Sequence, residues 1–375
     1  MVINLNISNE DKLVLLLAKP LWADDERASI VELLESYLDW SKVIGLLQYH
    51  RISGIAYRNL NLYFSEEAIK FSYEKFLSML YQSYIMQKNK TQEQWEYTNR
   101  VCKALNEDGI DYVMLKGIIL SSCVYEDLGA RNFGDTDILI HSSQINKAMQ
   151  CLLKLGYVQG KMLMGEEDII KSSRKDTMLW SLISHEVHPF VLKTPDCSLI
   201  RYHDVDLQFS LDLNTGNRTD NAVHDLIACS SSVTIGDVTV KTLGWEDFLV
   251  FLCIHYYKEV TTLKEVTSYN DIVLYKLCDI YYLIANKNIK LNWEKVVYKA
   301  EFTQSTKGVY YTLLNLCQIY GEVVPVELLN QVKPQDLSYL DEVYHYNSNE
   351  VAATYKLSFI ERLVHPNRPT ILKFK

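Results

Sequence analysis

The sequence predicts an α+β protein, with a mixed α/β core between helical N- and C-terminal regions. Three observations predict it. A helical apolar period runs from Ser8 to about Asp108, short strand-like apolar runs replace it at Ile110, and the helical period returns at Trp245. These switches divide the chain into a helical N-terminal region at 1–99, a core at 100–245 and a helical C-terminal domain at 246–375.

The elements follow in order. Ser8 with Asp11 is an N-terminal cap, after which Leu13, Leu16 and Leu17 share one apolar face. Helical patterns continue over 24–38, 41–49 and 65–106, and Gly109 suits the left-handed position that ends a helix. Residues 110–115 then read as a strand, and Lys116-Gly117 turns the chain into a helix over 118–124. After a loop at 125–134, a second strand is expected over 136–140, a helix over 143–155 and a short strand at 157–158. Residues 177–182, 186–192 and 199–209 read as strands, with a turn at 194–198. A hairpin over 233–240 turns at Gly236-Asp237, and the helical period then holds almost to Pro366.

Bulk properties set outer limits. The 375 residues are 48% hydrophobic and 23% charged, enough for two or three domains with real cores. No apolar run approaches the roughly 20 residues that cross a bilayer, so no membrane association is expected. The N-terminus lacks the basic segment and cleavage site of a secretory signal, which predicts a cytoplasmic protein. Eight scattered cysteines form no CxxC pair and read as reduced, mostly buried thiols. The net charge of −9, with no basic block, argues against nucleic acid as a partner. A nucleotide escorted by a divalent cation remains compatible, because the metal brings the positive charge.

The chemistry concentrates in residues 115–140. Asp135 and Asp137 flank one residue at the entrance of a strand, and residues two apart on a strand share a face. Two carboxylates so placed suit magnesium, which takes a few carboxylates together with phosphate oxygens and water. Gly134-Asp135 is also good turn chemistry, so a solvated loop remains the plainer account of the pair alone. Upstream, Gly117 permits close backbone approach at a helix start, and Lys116 adds a point charge for phosphate. Downstream, Asp204, Asp206 and Gln208 share one face of a strand if Val205 and Leu207 face the core. A third carboxylate beside a metal pair can join the metal site and draw the proton from an attacking hydroxyl.

Taken in order, Leu115-Lys-Gly117, Leu128-Gly-Ala-Arg131, Gly134-Asp-Thr-Asp-Ile-Leu-Ile140, Leu155-Gly-Tyr157 and Val205-Asp-Leu207 resemble the polymerase-beta-like nucleotidyltransferase fold. The resemblance is to a family often described only as uncharacterised nucleotidyltransferases, whose members frequently sit among biosynthetic genes. It covers about residues 100–285, with a later block from Leu243 to His255 and another at Lys276-Leu-Cys-Asp279. It implies a mixed-sheet nucleotidyltransferase core that moves a nucleoside monophosphate, AMP from ATP, onto an acceptor and releases pyrophosphate. Asp135, Asp137 and Asp206 would hold magnesium, with manganese able to substitute, and Lys116, Gly117, Arg131 and Ser121 would face the phosphates. The partners implied are a nucleoside triphosphate and a small-molecule, peptide or protein acceptor.

The chain departs from the wider pattern in three places. Lys116-Gly117 stands where Gly-Ser is usual, Asp135 follows Gly117 by 18 positions (135 − 117), and Gln208 stands where His is frequent. His188, Gln208 and His255 are candidates for the acceptor side. His185 and His188 would lie on opposite faces of a strand, which is poor for chelating zinc, and His255 sits within an apolar helix. Arg131 could pair with a surface carboxylate instead of a phosphate, and Lys276 with Asp279 reads as an ordinary i,i+3 pair. Two other classes stay open: a non-catalytic nucleotide-binding regulator or partner protein of this fold, and a phosphoryl transferase.

Overall fold

The computed structural model describes residues 7–64, 70–163, 165–211, 220–346 and 348–375. These residues form two compact units. One takes the chain through Tyr84 and again from Leu249 to Lys375, and the other takes it from Ile85 to Phe248.

The first unit begins with α1 (Asn9–Ala18), α2 (Asp24–Glu35), α3 (Trp40–Tyr49) and α4 (Ser53–Phe64), and the start of α5 (Phe76–Glu107). Ser8 and Asp11 make the expected reciprocal cap on α1, satisfying two backbone N–H groups that a helix start leaves free. Leu13 and Leu17 are wholly buried, and Trp22 packs over the same helix with its indole N–H on the Leu16 carbonyl at 2.8 Å. The expected long helix from residue 65 begins in a stretch outside the described residues, and α5 starts at Phe76. The sequence pattern does not announce α4. Its Asn59 side chain accounts for part of its anchoring, donating to the Leu17 and Lys19 carbonyls.

The second unit holds an eight-stranded mixed sheet. Its strands are β1 (Tyr112–Met114), β2 (Asp135–Ile140), β3 (Val158–Lys161), β4 (Ile170–Lys171), β5 (Phe190–Lys193), β6 (Tyr202–Gln208), β7 (Ser231–Ile235) and β8 (Val238–Thr242). They lie in the order β4-β3-β5-β6-β2-β1-β8-β7. β2 is parallel to β6 and β1 to β8, and the remaining pairs are antiparallel. Between strands come α6 (Gly117–Ile119), which opens into a wider π turn over Leu120–Val124, then α7 (Ile145–Lys154), α8 (Arg174–Ile183) and α9 (Asp220–Ala228). The architecture is α+β with a mixed sheet, as the sequence predicts.

Two expectations depart from the structure in this unit. The strand expected over 186–192 begins only at Phe190, with Glu186 in an isolated bridge to Gln208, and residues 177–182, expected as a strand, lie within α8. Ser173 caps that helix by accepting from the Asp176 N–H, and six residues were too short a window to separate the two periods. The hairpin β7–β8 does form, with Gly236 at φ +64° in its turn.

The chain re-enters the first unit within α10 (Trp245–Val260) and continues through α11 (Leu263–Thr267), α12 (Leu274–Ala285), α13 (Trp293–Phe302), α14 (Thr306–Tyr320) and α15 (Val326–Val332). The helical period does not hold to Pro366. Three antiparallel strands, β9 (Glu342–Tyr344), β10 (Val351–Tyr355) and β11 (Leu372–Phe374), surround a short α16 (Phe359–Val364). Val343, Ala353 and Tyr355 seat this sheet on Val266 of α11. The fully buried Arg368 closes it by pairing bidentately with buried Asp271 at 2.7–2.9 Å and donating to the Tyr49 hydroxyl.

Candidate active site

The site is built by the register of two parallel strands. β2 and β6 pair Asp135 with Asp204, Thr136 with Val205, Asp137 with Asp206 and Ile138 with Leu207. Side chains alternate, so the four aspartates fall on one face of the sheet and Thr136 and Val205 on the other. On that other face Thr136, Thr98 of α5 and the buried His203 share a hydrogen-bonded cluster, with contacts of 2.9–3.1 Å. Tyr157 completes it through the second ring nitrogen of His203 at 2.8 Å. Burial lowers the His203 pKa to about 3, so the ring is neutral and acts as a fixed hydrogen-bonding hub.

On the carboxylate face, one oxygen from each of Asp135, Asp137 and Asp206 lies within 4.8 Å of the others. Asp206 Oδ1 is buried and makes no hydrogen bond, although a buried carboxylate oxygen needs a partner. Such a donor set, all carboxylate oxygen, suits a hard divalent cation. Burial first, then Glu186, Asp137, Asp135 and Asp204, raise the proton affinity of Asp206 well above the usual carboxylate range. Asp204 is pushed up to about 7, by burial first and then by Asp135. The repulsion that a cation would relieve is therefore present in the fold.

Asp137 is held from two sides. Gln208 Nε2 donates to its Oδ1 at 2.8 Å, and Lys116 Nζ stands 3.3 Å from its Oδ2. Lys116 is fixed by its neighbours: the Leu115 N–H bonds the Asp137 carbonyl at 3.1 Å, and Gly117 follows at φ +49°. A Cβ on Gly117 would come within 3.3 Å of the Phe133 ring and 3.4 Å of the Asp135 carbonyl oxygen. Glycine is needed there on both counts.

The loop before β2 is pinned from α5, where Gln87 donates to the Gly129 carbonyl at 2.8 Å and Lys90 to Asn132 Oδ1 at 3.3 Å. Arg131 is buried in that loop, its guanidinium 5.9 Å from the Phe133 ring centre. Ser121 is also buried, and its hydroxyl donates back to the Gly117 carbonyl at 3.3 Å, a bond typical of a helical serine.

The structure thus brings together Asp135, Asp137, Asp206, Lys116, Gly117 and Gln208. His188 is engaged elsewhere in the sheet unit: its Nε2 meets the Ser172 hydroxyl at 2.8 Å and its ring leans on Trp180. His255 belongs to the helical unit, where its Nδ1 lies 3.1 Å from Glu259 and Lys276 reaches the same carboxylate at 2.7 Å. Burial pushes Glu259 up, but His255 and Lys276 outweigh it and hold the carboxyl well below its usual range. The sequence reading missed Glu186, which bridges to Gln208 and is the strongest charged neighbour of Asp206. The available signal was its place in a strand-like stretch just ahead of the Asp206 strand.

Carboxylates presented across parallel strands beside a glycine turn, on a mixed sheet, define a nucleotidyltransferase-like class of protein. Residues 36–321 match the family described as uncharacterised nucleotidyltransferase, and the chain belongs to that family. Among solved structures, it is similar to an antigenic nucleotidyltransferase-like protein from Paracoccidioides brasiliensis. That similarity has 18% identity and a TM-score of 0.39, and it covers 64% of this chain and 93% of the other. Comparison with curated proteins gives no significant match. Among the described residues, no helix is long and apolar enough to cross a membrane.

Proposed function

We propose that the chain transfers a nucleoside monophosphate, with AMP from ATP the expected case, to an acceptor and releases pyrophosphate. The observation that carries this reading is the cluster of Asp135, Asp137 and Asp206, three carboxylates converging within 4.8 Å in a chain of this family. Magnesium held by these three, or manganese in its place, would neutralise phosphate charge and orient the phosphate oxygens. Lys116 and Gly117, together with Arg131 and Ser121, would contact the phosphates. Asp206 accepts the proton of the acceptor as its oxygen or nitrogen bonds to the α-phosphorus. The bond from that phosphorus to the bridging oxygen breaks, and pyrophosphate leaves with the electron pair. The unbonded, buried Oδ1 of Asp206, on the face it shares with Asp137, supports the proton-accepting role. Gln208 keeps Asp137 aligned while this occurs.

The test is incubation with each triphosphate, magnesium and candidate small-molecule, peptide and protein acceptors, read by mass spectrometry and pyrophosphate release. A nucleotidyl mass on an acceptor is expected. Asp206→Asn, which removes both a carboxylate of the cluster and the proton acceptor, should reduce its formation by at least about 100-fold. A phosphoryl mass instead would make the protein a phosphoryl transferase. Tight nucleotide binding without pyrophosphate would make it a regulator.

A further inference from the structure

Asp137 offers two carboxylate oxygens, and side chains of the protein itself meet both. Gln208 donates to one at 2.8 Å, and the Lys116 ammonium stands 3.3 Å from the other. The pair is sheltered, with the Asp137 side chain 4% exposed and that of Lys116 16%. The backbone that carries the pair is held in place, because the Leu115 N–H bonds the Asp137 carbonyl and a Cβ on Gly117 would crowd Phe133 and the Asp135 carbonyl. The ammonium therefore engages one of the three carboxylates that converge as a cation site.

An ammonium is a compact point charge on a flexible stem. A divalent cation bound at Asp137 would lie within a few ångströms of it, in a partly dry pocket where charges are weakly screened. A triphosphate changes that balance by bringing negative oxygens to which the ammonium can move. We propose that Lys116 is an internal counter-ion of the carboxylate cluster, holding Asp137 until nucleotide arrives and then transferring to the phosphates as the metal takes its place. This rests on the nucleotidyltransferase reading above. It makes metal and nucleotide binding cooperative, and the coupling must be reciprocal. Lys116 is then a positioning residue as well as a phosphate contact.

The test titrates Mn2+ alone into the full-length parent and into Lys116→Met by calorimetry, then repeats it with ATP whose α,β-bridging oxygen is a methylene. Removing the competing charge should tighten Mn2+ binding without nucleotide by about tenfold or more. The nucleotide analogue should then improve Mn2+ affinity less in the variant than in the parent. Lys116→Arg, which keeps the charge, should behave like the parent, and Asp137→Asn should lose Mn2+ binding and so locate the site. Lys116→Gln replaces the Met variant if that one does not fold. Equal or weaker Mn2+ binding by the uncharged variants overturns the inference and leaves the nucleotidyltransferase reading standing. A parent that binds neither Mn2+ nor the analogue overturns both.

Discussion

Asp204 is a carboxylate that burdens the site without being one of the three converging ligands. It sits opposite Asp135 across the parallel strands, and burial together with that neighbour raises its pKa from 3.8 to about 7. A folded-state pKa above the unfolded value gives a contribution fully present below about pH 3.8 and lost as pH rises through about 7. The buried His203 and His50, both lowered to about 3, act in the opposite direction and lose stability as pH falls. The parent's own pH profile is therefore mixed, and the difference from Asp204→Asn isolates the aspartate. In chelator, the variant should gain stability over the parent as pH rises from about 4 to about 7, by at most about 1.36 kcal/mol per pH unit. Melting curves at pH 5 and pH 8 check this, and a variant that tracks the parent at both values contradicts the assignment. At this scale the sequence was most informative where alternation alone decides orientation. Asp135, Asp137, Asp204 and Asp206 could be placed on faces by counting in twos. Glu186 could not, because its pairing to Gln208 is a single bridge outside any named strand.

Among the elements, β2 and β6 matter most, and their register is held from behind. Thr136 lies between the two site aspartates and points away from them into the Thr98–His203–Tyr157 cluster. That cluster ties both strands to α5 and sets which residues of β2 and β6 face each other. His203→Phe keeps ring volume and burial but strips the Tyr157 hydroxyl and the two threonines of their nitrogen partners. The expected cost is about 2 kcal/mol, within the range for leaving buried polar groups unsatisfied. It should appear as a lower urea midpoint with an unchanged slope. A cost below about 0.5 kcal/mol, at the low end for a single hydrogen bond, would mean the cluster does not hold the register. No local pattern announced this cluster, since its members are brought together only by folding. The α8 misreading has the opposite origin. Met178, Leu179, Trp180 and Leu182 are apolar enough for a strand, and the Ser173 cap that makes them a helix lies just outside the run.

For the whole molecule, the helical, mixed and helical order was legible because the apolar period changes at Ile110 and Trp245. The small C-terminal sheet was not legible. β10 has five residues and β11 three, and their partners are fixed by packing on Val266 instead of by alternation. The division into two units has a consequence for ligand binding that can be measured. Asp135, Asp137, Asp206, Lys116 and Gln208 all lie between Ile85 and Phe248, whereas His255, Glu259 and Lys276 lie in the unit that resumes at Leu249. A ligand at 100 times its dissociation constant stabilises the state that binds it by roughly 2.7 kcal/mol. Hydrogen exchange reports local and sub-global opening, so that stabilisation can be located along the chain. With magnesium and the methylene-bridged ATP analogue, amides of β1, β2, β6 and the 115–124 turn should exchange more slowly. Asp137→Asn should abolish that protection, because the metal loses a ligand. The segments around His255 and Lys276 decide the acceptor-side expectation for His255. If nucleotide alone leaves them unchanged and an acceptor then protects them, the helical unit contributes to acceptor binding. Protection confined to the helical unit, with β2 and β6 unaffected, would place the nucleotide away from the carboxylates and remove the basis for the proposed reaction.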